Sequence, residues 1–242
     1  MLDHIQFDVK DLEKSKAFYK ATLAPLGYEL IYEVNGSVWK ALMYDQKFWN
    51  ERYARDEYLY GTDPNSFLVE YSELLTGPVL SLSEGEGRNA VYLASRGLKV
   101  HGVDTSEVGL TKAQALAKLK GVEIQTEVAD LSNYEPEKNF YGSVISISAH
   151  LPGAIRNKLY PLIEQCLKLD GIILLEAYSE TQLARNTGGP KDADMLMTVE
   201  KLVREFPNFE PILIRELERE VSEGEGHAGL ASVVQFIARK KA

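Results

Sequence analysis

Residues 79–97 read VLSLSEGEGRNAVYLASRG, an apolar strand-like run, a turn containing Gly85 and Gly87, and a helical run from Arg88 onward. Gly85 to Ala90 satisfies G-x-G-x-x-A in the strand–turn–helix setting that gives this pattern meaning. Without Cβ atoms, the two glycines let the backbone approach the phosphates or ribose of a nucleotide-like ligand. The next apolar run, KVHGVD, ends in Asp104. A carboxylate there can accept from both hydroxyls of a ribose, or it can cap the helical run that follows. Asp130 closes a third run, VEIQTEVAD, where it can reach an adenine amino group or make a turn. His150, in SAHLPG after a fourth run, and His227, in EGEGHAG, are the candidates for taking a proton. The polar stretch 184–197, ARNTGGPKDADMLM, follows a fifth run and reads as a lid or a solvated loop. Its Arg185, Asn186 and Lys191 suit an anionic acceptor.

The elements that must position these residues are legible from periodicity. From Val79, five strand-like runs (VLSL, KVHGVD, VEIQTEVAD, GSVISIS and GIILLEAYS) are linked mostly by helical runs, which predicts a mostly parallel, doubly wound α/β sheet. TVEKLVREF is then a helix. FEPILIRELEREV and LASVVQFIARK are strands separated only by SEGEGHAG, too short for a parallel crossover, so they must be antiparallel. Upstream, the aromatic and charged stretch 46–77 contains a helix predicted to start at Asp63-Pro64, with Phe67, Leu68, Tyr71, Leu74 and Leu75 on one face. Cys166 falls among Leu159, Ile163 and Leu167 at helical spacing and reads as packing.

A glycine turn followed by an acid on the second strand fits both NAD and S-adenosylmethionine. Two features favour the methyl donor. Parallel NAD folds do not end in an antiparallel hairpin, and Glu84 and Glu86 make the turn anionic, which would repel a pyrophosphate but not a sulfonium. From about Lys47 onward the chain resembles the TehB-like, tellurite-resistance-type class I S-adenosylmethionine-dependent methyltransferases. The likeness is carried by LxEGEGRNAxxLA at 82–94, HLP at 150–152, LEAY at 175–178, NTGGP at 186–190 and ER-x-x-x-EG-x-x-H-x-G up to Gly229, with FWNERYARDEYLYGTDP at 48–64. Ser81 and Ser83 stand where that group usually carries an acid on the first strand and a glycine opening the turn.

The resemblance implies a Rossmann-like seven-stranded sheet with the terminal hairpin inserted beside the fifth strand. It implies Glu84, Gly85, Gly87 and Arg88 at the methionine end of the donor, Asp104 and Thr105 at the ribose, and Asp130 and Leu131 at the adenine. Ser148, Ala149 and His150 would floor the site, and Trp49, Tyr53 and Tyr60 would cover it, a cationic sulfonium being compatible with aromatic faces. Methyl transfer to a small molecule, such as a thiol or a chalcogen oxyanion, is then expected. It needs mainly alignment and water exclusion, with a base only if the acceptor must lose a proton. An NAD(P)-dependent oxidoreductase and a non-catalytic donor-binding protein are the alternatives.

The chain has 242 residues, 45% of them apolar, and a formal net charge of −9. That charge argues against nucleic-acid or anionic-membrane partners. The charged N-terminus and the lack of any apolar run near the ~20 residues of a membrane span favour a cytoplasmic protein. The lone cysteine leaves no intrachain disulfide and no cysteine cluster for zinc. Residues 1–45 read as a separate segment before a domain at 46–242. LDHIQFDVKDLEKSKAFYKATLAPLGYELIYE reads as strand, helix and strand, with one or two strands around Asn35-Gly36. It resembles the opening of the glyoxalase/bleomycin-resistance (vicinal oxygen chelate) superfamily, with His4 at the place of that group's first metal ligand. One histidine is not a metal site, so no metal is expected. A truncated module of this kind needs its strand edge covered, which makes it a candidate for packing or homodimer contacts.

Overall fold

The computed structural model describes residues 28–33, 36–41, 46–185 and 187–241. Backbone packing separates two units, Met1–Phe48 and Trp49–Ala242. In the first, β1 (Tyr28–Glu33) and β2 (Gly36–Ala41) pair antiparallel, with Tyr28 opposite Ala41 and Glu33 opposite Gly36. The strand and helix expected over residues 2–27, and His4, lie outside the described residues.

The second unit is organised by one sheet. Its strands are β3 (Val79–Leu82), β4 (Val100–Asp104), β5 (Gln125–Val128), β6 (Tyr141–Ile147), β7 (Leu167–Tyr178), β8 (Phe209–Glu223) and β9 (His227–Lys240). Their order across the sheet is β5-β4-β3-β6-β7-β9-β8. The first five in chain order run parallel, and β9 is antiparallel to both β7 and β8. The short SEGEGHAG connection requires β8 and β9 to be antiparallel, and the last strand enters between β7 and the edge strand β8. VLSL and YGSVISI are buried along their whole lengths, as central parallel strands covered on both faces must be. The exposed edge of β8 carries Glu216, Glu218, Glu220 and Pro211, residues that discourage pairing with another strand.

Helices α1 (Gln46–Tyr53), α2 (Ser66–Tyr71), α3 (Arg88–Ser95), α4 (Glu107–Leu119), α5 (Gly153–Cys166) and α6 (Val199–Glu205) complete the frame. Alternation along the strands divides the core in two. Leu80, Leu82, Val144, Ile173 and Phe236 pack with Leu159, Ile163 and Leu202 of α5 and α6. Val79, Ile145, Leu174 and Ile237 pack with Phe67, Leu93, Ala113 and Leu116 of α2, α3 and α4. Cys166 is buried in the first of these layers, as its spacing indicates.

Two local expectations change. The helix expected at Asp63-Pro64 starts instead at Ser66, capped by Asn65, whose Oδ1 accepts from the Leu68 N–H at 3.0 Å. An amide is required because the Asn65 NH2 also donates to two buried glutamates, which a carboxylate could not do. Phe67, Leu68 and Leu75 are buried, whereas Leu74 turns outward. The third strand is only Gln125–Val128, at the sheet edge, shorter than the run VEIQTEVAD.

Candidate active site

The carboxyl ends of β3, β4, β6 and β7 gather on one edge of the sheet, where open α/β folds hold their ligands. At the end of β3 the chain turns through Ser83 (φ +51°), Gly85 (φ +62°) and Gly87 (φ +96°). Ser83 takes a left-handed conformation that glycine would hold without strain. Gly85 is overlaid by Tyr53: a Cβ there would come within 2.8 Å of the Tyr53 hydroxyl. Gly87 serves helix packing, since a Cβ would lie 2.6 Å from the backbone of Ala113 on α4.

Glu84 does not present its carboxylate to the outer side of the turn. It folds back, accepting from the Ser81 hydroxyl and from the Ala90 N–H at 2.9 Å. It thereby supplies the acid that Ser81 does not provide on the strand. Gly102 makes room for it, because a Cβ there would lie 3.0 Å from the Glu84 Cγ. Burial pushes the Glu84 carboxyl up to about 7 despite these hydrogen bonds. Glu86 is paired with Lys112 at 2.5 Å and accepts from the Leu59 N–H at 2.8 Å. The anionic turn expected to repel a pyrophosphate is thus buried on one side and ion-paired on the other. The strand order, not the charge of the turn, separates the two nucleotide classes.

Asp104 is not the cap of α4. Ser106 is, accepting from the Gly109 N–H at 3.0 Å. Asp104 instead accepts from Gly85 N–H and Ser106 N–H, both at 2.8 Å, and from the Thr105 N–H. Three of the carboxylate's four lone-pair sites are thus taken, which leaves one for a further donor. Burial raises this carboxyl to about 6. Asp130 is exposed and closes a turn by accepting from Ser132 N–H at 2.8 Å, with Leu131 buried beside it.

The aromatic approach segment lies over this edge. Trp49 stacks on Tyr53 at 5.4 Å, Tyr53 meets Tyr60 edge-on at 6.4 Å, and Tyr60 lies 4.5 Å from the His227 ring. The series continues from His227 to Tyr178 at 5.3 Å and from Tyr178 to His150 at 5.1 Å. The EGEGH turn is shaped by this contact, since a Cβ on Gly226 would lie 2.3 Å from the Tyr60 ring. Asn50 fixes the segment from the other side by accepting from the Ser106 hydroxyl at 2.7 Å.

Beneath the rings is a buried charged network that the sequence did not single out as a site. Glu176 on β7 accepts from Arg219 at 2.5 Å, Gln235 at 2.6 Å and Asn65 at 2.7 Å. Glu223 accepts from Arg88 at 2.7 Å, Asn65 at 2.8 Å and Arg219 at 3.2 Å, and against its burial the His227 ring and the Arg88 guanidinium hold its carboxyl well below the usual range. One signal was available: an acid inside the apolar strand GIILLEAYS must be paired. Arg88 Nη1 is buried without a partner among the described residues.

The two imidazoles differ. His150 accepts the Tyr178 N–H on Nε2 at 2.9 Å, and its backbone N–H donates to the Ser148 carbonyl at 3.1 Å. Burial and the nearby His227 push it down to about 3. The lone pair a base would use therefore holds β7 in place. His227 has Nδ1 3.5 Å from Glu223 and no Nε2 partner among the described residues. Ser148 (φ +57°) donates its N–H to Glu176 O, and Ala149 is buried. Arg185 is committed to Ser232 and Glu218, and Lys191 is exposed with its ammonium on the Arg185 carbonyl. Asn186 lies outside the described residues. The neighbouring loop closes on the rings, a Cβ on Gly189 falling 2.5 Å from Tyr178. No cluster able to hold a metal occurs among the described residues, and no helix among them is long and apolar enough to cross a membrane.

Residues 79–171 match the methyltransferase domain family. Among solved structures, TehB from Haemophilus influenzae superposes with a TM-score of 0.61 at 16% identity, covering 81% of this chain and 67% of that one. This is the class I methyltransferase fold. A Methanosarcina mazei protein solved as an S-adenosylmethionine-dependent methyltransferase gives a TM-score of 0.57 at 18% identity, over 74% of this chain and 99% of the other. A protein from a study of disulfide-to-thioacetal conversion in echinomycin biosynthesis gives 0.68 at 16% identity, over 81% and 92%. S-adenosyl-L-methionine is the cofactor that goes with this domain. The residues present fit it: the Asp104 carboxylate with one lone-pair site to spare, the glycine turn beside it, and the uncommitted Arg88 donor. A tRNA (uracil(54)-C(5))-methyltransferase of Pyrococcus horikoshii is 34% identical over 102 residues, 37% of this chain and 25% of its own length. This chain thus spans about a quarter of the curated relatives it matches. The likeness of the first forty residues to the vicinal oxygen chelate group draws no support from these comparisons.

Proposed function

We propose that this protein is an S-adenosylmethionine-dependent methyltransferase acting on a small-molecule acceptor. The observation that carries the reading is Asp104, held against the Gly85 N–H at the end of β4 in a sheet of methyltransferase order. In this reading Asp104 and Thr105 take the ribose, and Asp130 and Leu131 border the adenine. Gly85 and the free Arg88 Nη1 receive the methionyl end. Glu84 supports the turn from beneath, and Gly87 lets α3 pack on α4. Trp49, Tyr53 and Tyr60 cover the donor, while Ser148 and Ala149 floor the site. When bound, the donor supplies an electrophilic methyl carbon on a sulfonium leaving group. The chain's own task is alignment and exclusion of water.

The net charge of −9 speaks for a small acceptor over tRNA, the acceptor named for the Pyrococcus proteins. The test is S-adenosylhomocysteine formation, followed by mass spectrometry, with small thiols, phenols and chalcogen oxyanions and separately with unmodified tRNA. Product with a small acceptor and none with tRNA is expected. Turnover of tRNA alone would overturn the acceptor class.

A further inference from the structure

The ring cluster ends in an imidazole whose two sides are unlike. The Nδ1 of His227 faces the Glu223 carboxylate at 3.5 Å, and Nε2 has no partner among the described residues. The ring is held between Tyr60 at 4.5 Å and Tyr178 at 5.3 Å, and Gly188 closes on its Cδ2, where a Cβ would come within 3.0 Å. A carboxylate on Nδ1 favours the tautomer with Nδ1–H and an Nε2 lone pair, and it stabilises the imidazolium once a proton arrives. Glu223 is in turn fixed by Arg88, Arg219 and Asn65.

Charge balance bears on the acceptor. Within this cluster two carboxylates, Glu176 and Glu223, meet two guanidiniums, Arg88 and Arg219. Of the cations in the loop above, Arg185 is spent on Glu218 and Lys191 is exposed on a backbone carbonyl. The cluster offers an anion little uncompensated charge, whereas a free imidazole lone pair serves an acceptor that must lose a proton. We propose that Glu223 and His227 form the proton-accepting pair of the site, and that the acceptor is a neutral molecule presenting an acidic X–H group, a thiol or a phenol.

This rests on the methyl-transfer reading above. His227 Nε2 takes the X–H proton, the lone pair left on X forms the X–CH3 bond, the methyl–sulfur bond breaks, and its electron pair stays on sulfur. The imidazolium then returns the proton to solvent. His227 touches the reacting atom, and Glu223 is a positioning residue acting through it. The groups facing His227 are Glu223 and Arg219 of β8, Tyr60 of the approach segment, Tyr178 of β7, His150 after β6 and Arg88 of α3.

The test is a nitrogen-15 NMR titration of the imidazoles in the full chain, with His227 assigned by its loss in His227→Gln. Calorimetric titration with S-adenosylmethionine is run on the same samples. The expected result is the Nδ1–H tautomer for neutral His227, no longer favoured in Glu223→Gln. An Nε2–H tautomer in the unaltered protein overturns the pair without recourse to any variant, and so does an unchanged tautomer balance in a folded Glu223→Gln. Benzyl mercaptan and phenol then serve as protic probes, with selenite and tellurite as oxyanion probes. Methylation of a protic probe should show a general-base limb in its pH profile. His227→Gln should lose that limb and about 10²–10⁴-fold in rate, at unchanged donor affinity. Donor binding with methylation of oxyanions only, or of no protic probe, overturns the acceptor class. Absence of donor binding would instead fail the underlying reading.

Discussion

Asp104 holds the most informative chemistry. Its carboxyl is raised to about 6 by burial, and a ribose hydroxyl needs the ionised form as its acceptor. Proton and ribose therefore compete. Donor affinity should be level above pH 7 and fall roughly tenfold for each pH unit below about 6. Calorimetry between pH 5 and 8 measures this, and Asp104→Asn should bind weakly with no such slope. Glu84, raised to about 7, makes a different statement. Its folded-state pKa lies above the unfolded one, so the native state binds its proton more tightly. Stability is then greatest below the unfolded pKa of about 4.5 and falls as pH rises toward 7. Glu84→Gln keeps a donor and an acceptor for Ser81 and Ala90. In urea denaturation Glu84→Gln should gain stability relative to the unaltered protein as pH rises from 5 to 7, by at most about 3 kcal/mol.

At the scale of elements, each glycine of the turn has a separate duty. Gly85 lies under Tyr53, while Gly87 brings α3 onto Ala113 of α4 in a left-handed conformation. Gly87→Ala should cost about 2–4 kcal/mol through overpacking and backbone strain, measured by denaturant unfolding. Periodicity revealed the strands and helices because central strands such as YGSVISI are buried on both faces and leave no ambiguity. The hairpin was legible because SEGEGHAG is too short for a crossover. What the sequence hid were partnerships between distant positions. Asn65, Glu176 and the β8 pair Arg219 and Glu223 come from three separate segments, and no local pattern says that the three meet. Asp63-Pro64 looked like a better helix start than Asn65 because the two glutamates that select an amide lie over a hundred residues away. Glu84 and Glu86 read as surface charge for the same reason, Lys112 and Ser81 being invisible as partners until the turn is built.

At the scale of the molecule, the sheet brings the ends of four parallel strands to one edge, and the approach segment and the β8–β9 turn close over it. Gly226 packs on Tyr60, and Asn65 joins Glu176 and Glu223. The hairpin and the approach segment are thus parts of one cover. That cover, rather than the glycine turn, distinguishes this chain chemically, because it places His227 and Glu223 above the donor side of the sheet. The central claim is that this edge binds an adenosyl sulfonium. Calorimetric titration with S-adenosylmethionine, S-adenosylhomocysteine and NADH, repeated on Asp104→Ala, tests it most directly. The account expects micromolar binding of both adenosyl compounds, marked weakening in the variant and no heat from NADH. Binding of NADH without either adenosyl compound would contradict it.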